Sequence, residues 1–153
     1  MASANSSASK AHPASDPSIY SDHHRTFRNE GLPRTTRDWI VRARAVAQIF
    51  AADAPTRDNE QLSPHAEVAL LKSSGLVKLL GEQRHGGGGE SWETAYKVIR
   101  EVAKGDGSLG MLLGYHLLWS VTAVVVGDEQ QADGIGRVIC HGDDGEGYFI
   151  GGK

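Results

Sequence analysis

Three observations predict an all-α fold. Apolar residues recur at helical spacing in several stretches, with Trp39, Ala43, Val46 and Phe50 the clearest stripe. Those stretches open on good N-cap residues, namely Thr35, Ser63, Ser91, Asp106 and Asp128. They close on glycine or proline, which end helices for opposite reasons: one tolerates the left-handed cap and the other cannot donate.

Residues 1–34 are rich in Ser, Ala and Pro without periodicity, so they are expected to form a disordered tail. Thr35 with Asp38 three residues on resembles a capping box, and Pro55 is expected to close the first helix soon after Ala52. The second helix has Ser63 as N-cap, Pro64 at its first position and Glu67 near the positive end of the dipole. Val68 and Leu71 face inward and Gly75 supplies the C-cap. LVKLLG is too short to assign.

Ser91 caps a third helix whose apolar face is Trp92, Ala95, Tyr96, Ile99 and Val102. Gly105 ends it and Asp106 caps the next, expected over 107–126. That helix is apolar on nearly every side, so it needs cover all round. Asp128 with Gln131 marks a final helix carrying Ala132, Ile135, Val138 and Ile139, weakened by Gly134 and Gly136. YFIGGK then reads as the opening of a strand with no partner. The expected division is a tail over 1–34, a helical domain over 35–140, and the start of a truncated β domain over 141–153.

The totals exclude several classes. A net charge of −3 over 153 residues offers no basic face for nucleic acid. The lone cysteine, Cys140, excludes an internal disulfide and suits a reducing compartment, so a cytoplasmic protein is expected. The polar N-terminus lacks a signal-peptide core. No apolar run is read as approaching the ~20 residues of a bilayer span, so no membrane role is expected.

Candidate sites are few. His12, His23, His24 and His85 would be metal ligands, but no cysteine or carboxylate cluster completes a set, and no metal is expected. Gly86 to Gly89 lack the GKS/T or GxGxxG context of a phosphate cradle, so they read as a turn where backbone passes close to a neighbour. Tyr115 and His116 interrupt the apolar helix. On spacing alone each reads as a hydrogen-bonded core residue.

The order of the motifs adds more. The stretch LLKSSGLVKLLGEQRHGGGGESWETAYKVIREVAKGDGSLGMLLGYH resembles the N-terminal helical domain of the acyl-CoA dehydrogenase superfamily. Within that superfamily it is most similar to the flavin-dependent monooxygenase branch that includes dibenzothiophene monooxygenase. The motifs are G-L-x-x-L-L after Gly75, R-x-G-G-x-G, the helix from Trp92, D-G-S-L-G and G-Y-H. The resemblance covers about 35–153. It implies the first domain of a larger, usually tetrameric flavoenzyme using FAD or FMN and a small-molecule substrate. It further implies that Tyr115 and His116 lie beside the flavin, with Met111 and Tyr115 lining the substrate pocket. No catalytic base is implied here. Dibenzothiophene-oxidising members carry histidine where this chain has Met111, and asparagine where a gapless reading puts Gly152. Both departures remove polar groups that could hold a flavin peroxide, which counts against that substrate.

Two functions follow from this reading. One is a flavin-dependent oxidoreductase, dehydrogenase or monooxygenase, of which this chain supplies part of the pocket and is inactive alone. The other is a non-catalytic helical assembly module or an inactive truncated product.

Overall fold

Helices account for nearly all regular structure in the computed structural model, which describes residues 13–142 and 145–150. In chain order they are α1 (Ser21–Glu30), α2 (Thr36–Glu60), α3 (His65–Ser73), α4 (Trp92–Gly105), α5 (Gly107–Ser120), α6 (Thr122–Val126) and α7 (Glu129–His141). Among the described residues there is no strand, only an isolated parallel bridge between Ala14 and Ser63.

The long α2 is the spine. Its capping box is formed as expected: the Asp38 N–H donates to Thr35 Oγ1, and the Thr35 N–H donates back to the Asp38 carboxylate. Trp39, Ala43, Val46 and Phe50 are fully buried against Ala95, Val98 and Val102 of α4 and Leu109, Leu113 and Leu117 of α5. Burying each such side chain contributes about 1.5–3 kcal/mol. At the α4–α5 contact Gly110 permits a close approach, since a Cβ there would sit 2.5 Å from that of Ala103.

Several expectations are corrected. Residues 17–30 are helical, in a 3₁₀ turn at Pro17–Tyr20 followed by α1. Their order comes from distant partners: Tyr20 and Phe27 join the core, and the one proton of the Tyr20 hydroxyl is shared between the Glu67 and Asp53 carboxylates, each 3.1 Å away. Residues 1–12 of the expected tail, including His12, lie outside the described residues.

Pro55 does not end α2, which continues to Glu60 and stops at left-handed Gln61. The turn beyond the proline is held by Arg57, buried and ion-paired to Glu67 (3.4 Å) and Asp106 (2.5 Å). Nor does Ser63 cap α3. Pro64 occupies the cap position, and the hydroxyl of Ser15 accepts the Ala66 N–H at 2.9 Å.

The expected 107–126 helix breaks at Val121 into α5 and α6. Gly107–Val126 is nonetheless 20 residues long with mean hydropathy 1.8, so the expectation that no apolar run approaches bilayer length is also corrected. One third of that run is buried inside the domain. Finally, residues 147–150 form no strand but run beside α7 and α5, with the Tyr148 N–H donating to Ile139 O. Residues 151–153, with the Gly152 position, lie outside the described residues.

Candidate functional site, a groove between two helices

The turn at Gly86 to Gly89 has no amide to offer a phosphate. The four N–H groups donate to Gln83, Glu82, Lys78 and Gly81 carbonyls at 2.8–3.0 Å. A Cβ at Gly88 would lie 2.6 Å from the Trp39 ring, which is the close backbone approach that the run of glycines implied.

The most site-like feature lies on the outer face of α4 and α5. Trp92, Tyr96 and Ile99 of α4 face Gly110, Met111, Gly114, Tyr115 and Leu118 of α5 across a groove of about 350 Å³. Spacing explains its form. Met111, Tyr115 and Leu118 stand at i, i+4 and i+7 on one stripe of α5. Gly110 and Gly114 lower the floor between that stripe and α4. Trp92 and Tyr96, also four apart, hold their rings 5.7 Å from each other at 34°. Tyr96, Met111, Tyr115 and Leu118 are 66%, 60%, 52% and 49% exposed, an unusual outlay of large apolar side chains on one face. The Tyr115 hydroxyl has no protein partner among the described residues.

His116 is one position on, about 100° round the helix, and faces inward. It is wholly buried. Its Nε2 lies 2.8 Å from Val77 O, its Nδ1 accepts the Ile150 N–H at 3.0 Å, and its ring stacks on Phe149 at 4.8 Å. Burial pushes its pKa down to about 4, with the Val77 bond only partly offsetting. His116 therefore does not line the groove, and both of its ring nitrogens are already engaged inside the domain. Met111 and Tyr115, by contrast, share the groove.

His23, His24 and His85, the described histidines among the candidate ligands, do not converge. His24 bonds Ser73 Oγ through Nδ1 at 2.7 Å, and His85 Nε2 lies 3.1 Å from Asp133. No group of three metal-type ligands occurs among the described residues. Larger hollows lie among the described residues: about 830 Å³ between α1 and α2, about 1030 Å³ where α2 ends and α5 begins, and about 460 Å³ among Arg84, His85, Asp133, Arg137 and His141. Arg42 in the first is ion-paired to Glu30, and Arg57 in the second to Asp106, so these charges serve each other. The small groove has the mostly apolar lining and the few polar groups, the hydroxyls of Tyr96 and Tyr115 among them, typical of a ligand site.

Trp92, Tyr96 and Leu118 were not singled out as site residues from sequence. A signal existed: Ala95, Val98 and Val102 already give α4 a complete buried face, which leaves the Trp92–Tyr96 pair over.

Residues 35–143 match the family described as acyl-CoA dehydrogenase, N-terminal domain. The chain belongs to that family, and its helices are the family's N-terminal helical domain. Among known proteins it is 41% identical over 96 residues to dibenzothiophene monooxygenase of Rhodococcus erythropolis, covering 63% of this chain and 23% of the relative. It is 40% identical over 86 residues to the Probable FMNH2-dependent monooxygenase SfnC of Pseudomonas putida, covering 56% and 22%. It is 35% identical over 103 residues to dibenzothiophene monooxygenase of Mycolicibacterium goodii, covering 67% and 25%. The chain thus spans about a quarter of the length of the relatives it matches. No solved structure matches it.

Proposed function

We propose that this chain supplies one wall of the flavin and substrate pocket in a flavin-dependent oxidoreductase of monooxygenase type. The carrying observation is the exposed apolar groove of Met111, Tyr115 and Leu118 facing Trp92 and Tyr96, on a domain of this family. The family match falls on 35–143, within a helical unit that also takes in α1, and the residues after α7 would lead toward a β domain that completes the pocket. The name of the Pseudomonas relative favours FMN over FAD.

The groove suits one part of a flavin better than the other. Aromatic and aliphatic surfaces with the hydroxyls of Tyr96 and Tyr115 complement a flat heteroaromatic ring or an apolar substrate. The lining contains no lysine or arginine, so the flavin phosphate would be held by other parts of the enzyme. When bound, the flavin supplies the redox chemistry. The side chains here would exclude water from the reacting groups, and the Tyr115 hydroxyl would donate to, or accept from, a polar atom of the ligand. Met111 offers polarisable bulk and no proton. In its full-length form the enzyme would act as a homo-oligomer on a small molecule, without nucleic acid or membrane.

The test is spectroscopic. Protein extended through its reading frame beyond Lys153 is expected to purify with flavin absorbance or acquire it on reconstitution, with Trp92 fluorescence quenched. Colourless protein after reconstitution overturns the reading, as does turnover by the 153-residue chain alone.

A specific observation favours a second reading, an assembly module without catalysis. Trp119, Val124, Val125 and Val126 form an apolar strip that is exposed at the end of α5 and along α6. Light scattering on the isolated chain tests it, since a monodisperse monomer at high concentration removes that support.

A further inference from the structure

We infer that His116 is a positioning residue that fixes the path of the chain out of the helical domain relative to the groove on α5. The geometry is specific about direction. With the Nε2 proton donated to Val77 O at 2.8 Å, Nδ1 is left as a bare acceptor, and the Ile150 N–H points at it from 3.0 Å. A histidine of the other tautomer would present a proton to that N–H. Phe149 closes over the ring at 4.8 Å and 10°, so backbone and side chain of adjacent residues are both anchored on one imidazole.

Upstream, the same segment is held by main-chain bonds of Gly147 to His141 O and Tyr148 to Ile139 O, at 3.2 and 3.1 Å. Those bonds tie it to α7. The His116 contacts tie it to α5 as well, the helix that carries Met111 and Tyr115. Burial favours the neutral ring that the arrangement requires. Adjacent residues of one helix thereby divide the work: Tyr115 faces the groove, and His116 sets where the residues after Ile150 begin. Only this last consequence rests on the reading of the groove as a pocket wall.

The experiment needs no flavin, so its failure is distinguishable from failure of the pocket reading. In the intact 153-residue chain, amide exchange is followed by NMR for wild type, His116→Gln and His116→Asn. Glutamine places its amide near the Nε2 position and keeps a donor for Val77. Asparagine places an oxygen near Nδ1 and keeps an acceptor for Ile150. Exchange at Ile150 is expected to accelerate at least about tenfold in H116Q and to stay within about threefold of wild type in H116N. Leu113 and Leu117 should keep their protection in H116Q. Unchanged exchange at Ile150 in H116Q overturns the inference, as does equal acceleration at Ile150, Leu113 and Leu117 in both variants. Wild type alone provides a second measurement, should either variant not fold. ¹⁵N shifts must report a neutral Nε2–H ring with a coupling across the Ile150 hydrogen bond, and an Nδ1–H ring overturns the assignment.

Discussion

The two faces of α5 have nearly the same hydrophobicity and opposite fates. Leu109, Leu113 and Leu117 are buried to 2% exposure or less, whereas Met111, Tyr115 and Leu118 are about half exposed or more. Composition does not separate them. Partners do: the leucine face packs into the core beside α4 and the Leu76–Lys78 turn, while the other face lies along the edge of α4 and stays largely exposed among the described residues. A helix that is apolar all round is stable here with one face committed to the core and the other left about half exposed.

The strongest test of that division is truncation on each side. Leu113→Ala should cost about 2–5 kcal/mol in urea denaturation, through lost transfer energy and the cavity left behind. Tyr115→Ala should stay within about 0.5 kcal/mol of wild type. Comparable losses for the two would show that the groove face is also part of the core and would break the comparison.

A second test uses protons. His116 has a folded pKa lowered from the ordinary 6.5 to about 4, so between those values the unfolded chain binds more protons. Its stabilising contribution is complete above about pH 6.5 and is lost as pH falls toward 4, amounting to about 3 kcal/mol. His24, also buried, is lowered chiefly by desolvation and adds to the same slope. Stability measured by denaturant between pH 7 and 4 should therefore fall, and His116→Gln should flatten the decline. An unaltered slope in H116Q would assign it to His24 and other groups.

These contrasts were only partly legible in the sequence. Caps at Thr35, Ser91, Asp106 and Asp128 could be read because the donor and acceptor are within three residues of each other. The stripe from Trp39 to Phe50 was legible for the same reason. Residues 17–30 were not, because the carboxylate that orders Tyr20 lies 47 residues away in sequence. Pro55 misled because the arginine holding the next turn is paired with Glu67 on α3 and with Asp106, the N-cap of α5. At the site, the motif string pointed to Tyr115 and His116 together, yet the 100° between them turns Tyr115 into the groove and His116 into the core. Which of them turned outward depended on where Val77 and Ile150 lay, and periodicity carries no such information in a helix that is apolar all round.

A smaller effect is expected where α5 begins. Asp106 accepts the Ser108 and Leu109 N–H groups and also pairs with Arg57. Asp106→Ala should cost about 2 kcal/mol, combining the lost cap with a buried guanidinium left to Glu67 and Phe50 O. Asp106→Asn keeps the capping oxygen and should recover about half of that in thermal denaturation. Full recovery would mean that the charge on Asp106 contributes nothing and that α5 is held by its cap alone.

The smallest effect on stability is the most informative about function. Tyr115→Phe removes a hydroxyl with no partner in the domain, so the folded chain should be unchanged within about 0.5 kcal/mol by thermal denaturation. If the groove is a pocket wall, the same change in the flavin-loaded, extended protein should lower kcat or raise KM, because the hydroxyl then bonds a ligand atom. A hydrogen bond of that kind is worth about 0.5–1.5 kcal/mol, so a change of roughly two- to tenfold is expected. Met111→Leu preserves bulk without adding a donor and should be nearly silent in both assays. Silence of Y115F in turnover together with silence in stability would leave the hydroxyl without a role, and the exposed face of α5 would then be better explained as cover for another domain.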